Sequence, residues 1–216
     1  RYLMGAPEDQ YFDLVCHFGT LVALAVALRK AMCTVLNTPR MVVYFTLALI
    51  PLIPAYFFLK PIREHLSSAG YLGYALMATG AILWLASKKK SVTDLKKWQH
   101  VLCIGSIQTL ALIPGISRSG STIAAARLLG WNWTDAAQFS FLLAIPTILG
   151  GEILEWIKND QIQTLDRSIY YLGFMSSLLF GCIGVRFMFW VYDKQTIRPM
   201  ALYCISLGLL TTAFYG

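Results

Sequence analysis

Residues 111–123 read Ala-Leu-Ile-Pro-Gly-Ile-Ser-Arg-Ser-Gly-Ser-Thr-Ile and place one arginine, four hydroxyls and two glycines inside an otherwise apolar run. No charged residue separates His100 from Arg118. An arginine at membrane depth costs at least ~2.5 kcal/mol, so it points to function rather than to scaffold. Pro114, Gly115 and Gly120 break a helix at this place, and broken backbone at that depth survives only where it lines a cavity or is buried in protein. Arg118 offers a planar fork that matches phosphate oxygens two at a time. Ser117, Ser119, Gly120, Ser121 and Thr122 surround it. Ser121 and Thr122 are expected to open the second half-helix, whose free N–H groups and positive dipole end favour phosphate. Gln108 is expected to donate from the side. These groups hold an oxyanion and stabilise developing charge, but none is a base or an activated nucleophile. The competing reading is a kink in which Arg118 snorkels to the interface and the hydroxyls satisfy freed backbone groups.

The elements that must position these residues are membrane helices. Of the 216 residues, 57% are hydrophobic and 13% charged, against about 25% charged in a soluble domain. Residues 41–59, 66–87, 168–185 and 199–216 contain no charge, and each approaches the ~20 residues that cross a bilayer. Strand alternation is absent, which disfavours an outer-membrane barrel. The expected fold is an all-α polytopic integral membrane protein with six transmembrane helices and one re-entrant helical hairpin. The spans are placed at residues 12–28, 41–59, 71–87, 139–157, 169–192 and 200–215. Pro51 and Pro54 are expected to kink the second, and Gly73 and Gly80 to let the third pack closely. Residues 101–113 and 121–129 are too short to cross, so the break at 114–120 is read as the tip of a hairpin over about 101–130.

The net charge of +7 does not indicate nucleic acid, because the basic residues gather at span ends. Arg29, Lys30 and Arg40 share one loop, residues 88–97 hold five lysines, and Lys194 and Arg198 share a third loop. These loops are assigned to the cytoplasm. Trp98, Trp131, Trp133, Trp156 and Trp190 fall near span ends and are expected at the interface. The five cysteines lack a CxxC pair and read as small apolar residues. The hairpin is not a P-loop, since no lysine follows its glycine. Arg186 is expected to snorkel. His17 is expected to act as a packing residue with a possible site role, and Glu152 and Glu155 to sit at the outer interface, where metal binding is the alternative. The chain opens on Arg1 and a polar decapeptide without a signal-peptide pattern, which leads us to expect further residues upstream.

Residues 108–123, Gln-Thr-Leu-Ala-Leu-Ile-Pro-Gly-Ile-Ser-Arg-Ser-Gly-Ser-Thr-Ile, closely resemble the second signature of the undecaprenyl-diphosphate phosphatases of the bacitracin-resistance type. Phe-Asp-Leu-Val-Cys-His-Phe-Gly-Thr at 12–20, Pro54-Ala55, and Phe-Ser-Phe-Leu-Leu-Ala-Ile-Pro at 139–146 add matches along the chain. The resemblance implies an inverted repeat, each half with one re-entrant hairpin and three spans, here residues 1–98 and 99–216 of a single membrane domain. It implies hydrolysis of undecaprenyl diphosphate to the monophosphate and inorganic phosphate, recycling the lipid carrier for cell-wall synthesis in the bacterial cytoplasmic (inner) membrane. It also implies a divalent cation, Mg²⁺ or Ca²⁺. By resemblance Arg118 is the phosphate-binding arginine, Ser117, Ser119, Gly120 and Thr122 complete the cradle, and His17 and Gln108 occupy motif positions. In such proteins the first hairpin carries two glutamates, a serine and a histidine. Residues 1–11 show no match to it, so this chain is expected to lack that hairpin. The expected partners are a prenyl diphosphate lipid and the bilayer, with a homodimer left open. The rival functions are a transporter or flippase of an anionic prenyl-phosphate lipid and an inactive scaffold. An acid-phosphatase-like lipid phosphatase needs a histidine after its Ser-Arg, and none follows His100.

Overall fold

The computed structural model describes residues 10–59, 61–62, 66, 69–90, 97–158, 167–193 and 197–215. Among them all regular structure is helical: α1 (Gln10–Ala27), α2 (Arg29–Leu36), α3 (Pro39–Leu49), α4 (Leu52–Phe58), α5 (Ala69–Lys88), α6 (Trp98–Gln108), α7 (Arg118–Leu128), α8 (Trp133–Lys158), α9 (Arg167–Asp193) and α10 (Arg198–Tyr215). The expected all-α membrane protein is what the chain forms. Pro39–Phe58, Trp133–Leu154 and Arg167–Asp193 are long and apolar enough to cross a membrane, and α1 with α2 makes a fourth span if that pair, bent by 77°, counts as one. The third and sixth expected spans fall on α5 and on α10, a shorter apolar helix. The expectation for residues 1–9 lies outside the described residues.

The helices turn large apolar side chains outward and small ones inward. Phe58 and Phe214 are each 79% exposed, whereas Ala124, Ala126, Ala136 and Ala137 are fully buried. Lipid permits this arrangement because it solvates Phe and Leu as well as a protein core does, and close packing then falls to small residues. The most extensive pairing joins α5 to α10: a Cβ on Gly208 would stand 2.6 Å from the Gly73 carbonyl oxygen, and one on Gly80 would stand 2.7 Å from that of Ala201. Gly73 and Gly80 therefore pack as their spacing implies. A second pair, α1 with α9, closes in the same way at Gly19, whose Cβ would lie 2.7 Å from the Phe174 carbonyl. Between these pairs the hairpin α6–α7 packs on α3, α5 and α8.

Two local expectations need correction, and one about Pro51 holds. Arg29 and Lys30 are not in a loop: they begin α2, because residues 29–36 contain no helix breaker and continue helically after the bend. Pro51 does sit at the break between α3 and α4, where its missing N–H ends the first helix. Trp131 and Trp133 are buried in the core beside Ile104 and Ala137 rather than held at an interface. Their indoles close the short turn from α7 into α8, and the Trp131 indole N–H bonds to Nδ1 of His100 at 3.2 Å, which removes the need for an interfacial partner. Trp98 and Trp190, each 53% exposed, keep the outward position expected of them. The side chain of Trp156 lies outside the described residues.

Candidate functional site

The hairpin is built by successive breaks. α6 ends at Gln108 and tightens into one 3₁₀ turn over Thr109–Leu112. The chain then reverses through residues 113–117. Gly115 has φ +91°, a backbone conformation that favours glycine, and a Cβ there would also meet Leu72 Cδ1 and Ala75 Cβ at 2.8 Å. The tip is thus nested on α5. Ser117 donates its backbone N–H to Thr79 Oγ1 at 3.1 Å, and Thr79 in turn donates to the Ala75 carbonyl at 3.1 Å. Thr79 is buried and invisible to motif reading, since nothing in its neighbourhood marks it.

The second half-helix starts three residues earlier than Ser121. Ser117 is extended (φ −69°, ψ 119°) and its Oγ accepts from the Gly120 N–H at 3.1 Å, which is N-capping. Ser121 N–H already bonds to the Ser117 carbonyl at 2.9 Å. The N–H groups of Arg118 and Ser119 are therefore the ones left at the helix start, together with the positive end of the dipole. This correction also reassigns hydroxyls. Ser121 Oγ donates to the Ser117 carbonyl at 2.8 Å, and Thr122 Oγ1 donates to the Arg118 carbonyl at 2.9 Å and meets Ser140 Oγ at 2.6 Å. Both side chains are buried against the protein. They satisfy backbone and core groups, as in the competing reading of the break, and do not face open space. Gly120 likewise gives room for Ser117 Oγ and Thr79 Cγ2, which would stand 3.0 and 3.2 Å from a Cβ.

Arg118 and Ser119 do face open space. With Thr20, Ala144 and Met188 they line a cavity of about 380 Å³ among α1, α7, α8 and α9. One guanidinium nitrogen of Arg118 donates to the Leu143 carbonyl at 2.7 Å, while Nε is buried without a partner. That carbonyl also accepts from Thr147 Oγ1 at 2.7 Å, at the turn of α8 where Pro146 withdraws one helix donor. Gln108 is buried and reaches this group only through Thr147, its Nε2 lying 3.4 Å from Thr147 Oγ1, and its Oε1 has no partner. It supports Arg118 at one remove. No described carboxylate pairs with Arg118. A half-buried guanidinium with one neutral acceptor and a buried, orphaned Nε–H calls for an anion.

His17 lies elsewhere. Its Nδ1 meets Glu152 Oε1, tying α1 to α8. Thr20, one helical turn along α1, donates to the His17 carbonyl at 2.7 Å and lines the Arg118 cavity. Each of the pair was legible in the sequence, but their contact across 135 positions was not. The side chain of Glu155 lies outside the described residues. Arg186 is exposed on α9. Among the described residues no three His, Cys, Asp or Glu side chains stand together, and no step is routed through the implied cation. The arrangement can bind a phosphate, orient it and stabilise charge on its oxygens.

Comparison with known proteins agrees with this chemistry. The family described as bacitracin resistance protein BacA matches residues 1–210. An undecaprenyl-diphosphatase of Protochlamydia amoebophila is 36% identical, with 100% of this chain aligned to 88% of the relative. One of Carboxydothermus hydrogenoformans is 34% identical over 92% of this chain and 80% of its own. A third, of Pseudomonas putida, is 31% identical over 97% and 81%. With the family match running over nearly the whole chain and the signature hairpin lying at its centre, this multi-pass membrane protein belongs to the BacA family of bacitracin resistance proteins.

Proposed function

We infer that this chain acts as an undecaprenyl-diphosphatase, hydrolysing undecaprenyl diphosphate to undecaprenyl phosphate and inorganic phosphate in the bacterial cytoplasmic membrane. The observation that carries the reading is Arg118: a half-buried guanidinium whose buried Nε lacks an acceptor, opening on a cavity at a capped helix start. In this reading water attacks the terminal phosphorus, the bridging P–O bond breaks, and the lipid monophosphate leaves. Arg118 and the N–H groups of Arg118 and Ser119 hold the terminal phosphate and stabilise the charge that develops on it. The Ser119 hydroxyl donates from the same wall. Ser117 and Gln108 act indirectly, by capping α7 and by holding Thr147 under the Leu143 carbonyl. His17, held by Glu152 one turn from Thr20, is the proton-handling candidate on α1. The divalent cation belongs to the proposal through resemblance alone, and its ligands are not assigned.

The test is phosphate release from undecaprenyl diphosphate by the protein in detergent or bilayer discs, with Arg118→Lys and Arg118→Ala beside it. Turnover by the unaltered protein, with loss of about 10²-fold or more in both variants, is expected. Lysine fails as well because it lacks the fork. Equal turnover in all three would overturn the assignment of Arg118.

A further inference from the structure

A second cavity, of about 680 Å³, lies at the bend between α1 and α2 and is lined by Arg29, Lys30 and Arg186 together with Gln138. These cations come from two elements far apart in the chain: Arg29 and Lys30 begin α2, and Arg186 sits seven residues before the end of α9. None of the three pairs with a described acid. Three like charges around one space repel, and an arginine within an apolar helix is costly, so the cluster asks for an anion. The rest of the wall, including Leu28 and Phe189, is apolar, as suits a headgroup with a hydrocarbon tail. Basic pockets between helices on the cytoplasmic side bind phosphate headgroups by the same physics. Val185 lines both this cavity and that of Arg118, so the two spaces adjoin along α9.

We propose that Arg29, Lys30 and Arg186 form a second anion site, separate from Arg118, that takes a phosphate monoester group. Two sources present that chemistry: the headgroup of a prenyl monophosphate lipid, or free inorganic phosphate. Gln138 adds a neutral donor, and two guanidinium forks with one ammonium match the two negative charges of a monoester.

The experiment is equilibrium binding of radiolabelled farnesyl monophosphate and, separately, of inorganic phosphate to the full chain carrying Arg118→Ala, in discs of neutral phosphatidylcholine. A saturable site for at least one probe is expected to survive the loss of Arg118. Adding Arg186→Gln weakens it about tenfold or more, and the double variant Arg29→Gln/Lys30→Gln does the same. Binding of farnesyl monophosphate alone identifies the lipid headgroup as the source, and binding of both probes identifies the phosphate group itself. Melting followed by circular dichroism checks each variant, and the α2 pair decides the matter if Arg186→Gln does not fold. The proposal is overturned if Arg118→Ala abolishes binding of both probes, or if the surviving site ignores both the Arg186 and the α2 changes. Hydrolysis by the unaltered protein is measured separately, so failure of this site and failure of the proposed activity give different results.

Discussion

α7 carries an arginine near each end, and the protein holds them in opposite ways. Arg127, 3% exposed, donates to the carbonyls of Trp131 and Lys89 and lies 4.6 Å over the Trp133 ring, which stacks on Tyr192. Arg118 has a single carbonyl, that of Leu143, and a cavity in front of it. Each has a buried Nε without a partner, and Arg118 opens on a cavity from which an acceptor can arrive. Arg127 is a clamp: it ties the end of the hairpin to the residue after α5 and to the start of α8. Arg118 is held in place but not saturated. A buried polar group in the membrane that is satisfied by its own fold stabilises structure, and one that is left open marks where a ligand belongs.

Substitutions should separate the two roles. The largest effect is expected at Arg118: Arg118→Ala loses about 10²-fold or more in phosphate release while its thermal midpoint stays close to that of the unaltered protein. Arg127→Met should do the reverse. It strands the Trp131 and Lys89 carbonyls and is expected to cost about 3 kcal/mol, on the order of 10 °C in Tm, with turnover per folded molecule largely kept. Equal losses of stability in both variants would erase the distinction between clamp and ligand site. Gly115→Ala comes next: the positive φ and the 2.8 Å approach to Ala75 and Leu72 predict about 2 kcal/mol of destabilisation, together with a raised KM as the tip lifts from α5, readable by unfolding and steady-state kinetics. Ser117→Ala is the mildest, about 1 kcal/mol for the lost cap. Replacing it with Asp, another capping residue, should restore stability but weaken phosphate binding by repulsion.

The contrast also shows what a sequence can reveal. Arg118, its glycines and its proline stood out because they violate the apolar run around them, and the hairpin followed from two half-lengths that cannot cross. The packing of α5 on α10 was legible from Gly73 and Gly80 for the same reason. Arg127 was not singled out, because an arginine one turn from a helix end looks like an ordinary interfacial residue until Trp131 and Trp133 are seen to fold over it. The inward turn of Ser121 and Thr122 depends on the helix starting at Arg118, and that start is set by Ser117 capping Gly120, a choice of one hydroxyl among four. Thr79, Thr20, Thr147 and the Leu143 carbonyl reach the site from other helices, so their contribution lives in packing and leaves no local pattern.

The most direct measurement is the affinity of a non-hydrolysable prenyl methylene-diphosphonate for the full chain, by titration calorimetry in bilayer discs, with Arg118→Lys, Arg118→Ala and Arg127→Met compared at one salt concentration. Binding is expected to fall about tenfold or more in both Arg118 variants and to remain within about threefold in Arg127→Met. Unchanged affinity in Arg118→Ala, or an equal loss in Arg127→Met, would contradict the claim that the open arginine of the hairpin holds the diphosphate.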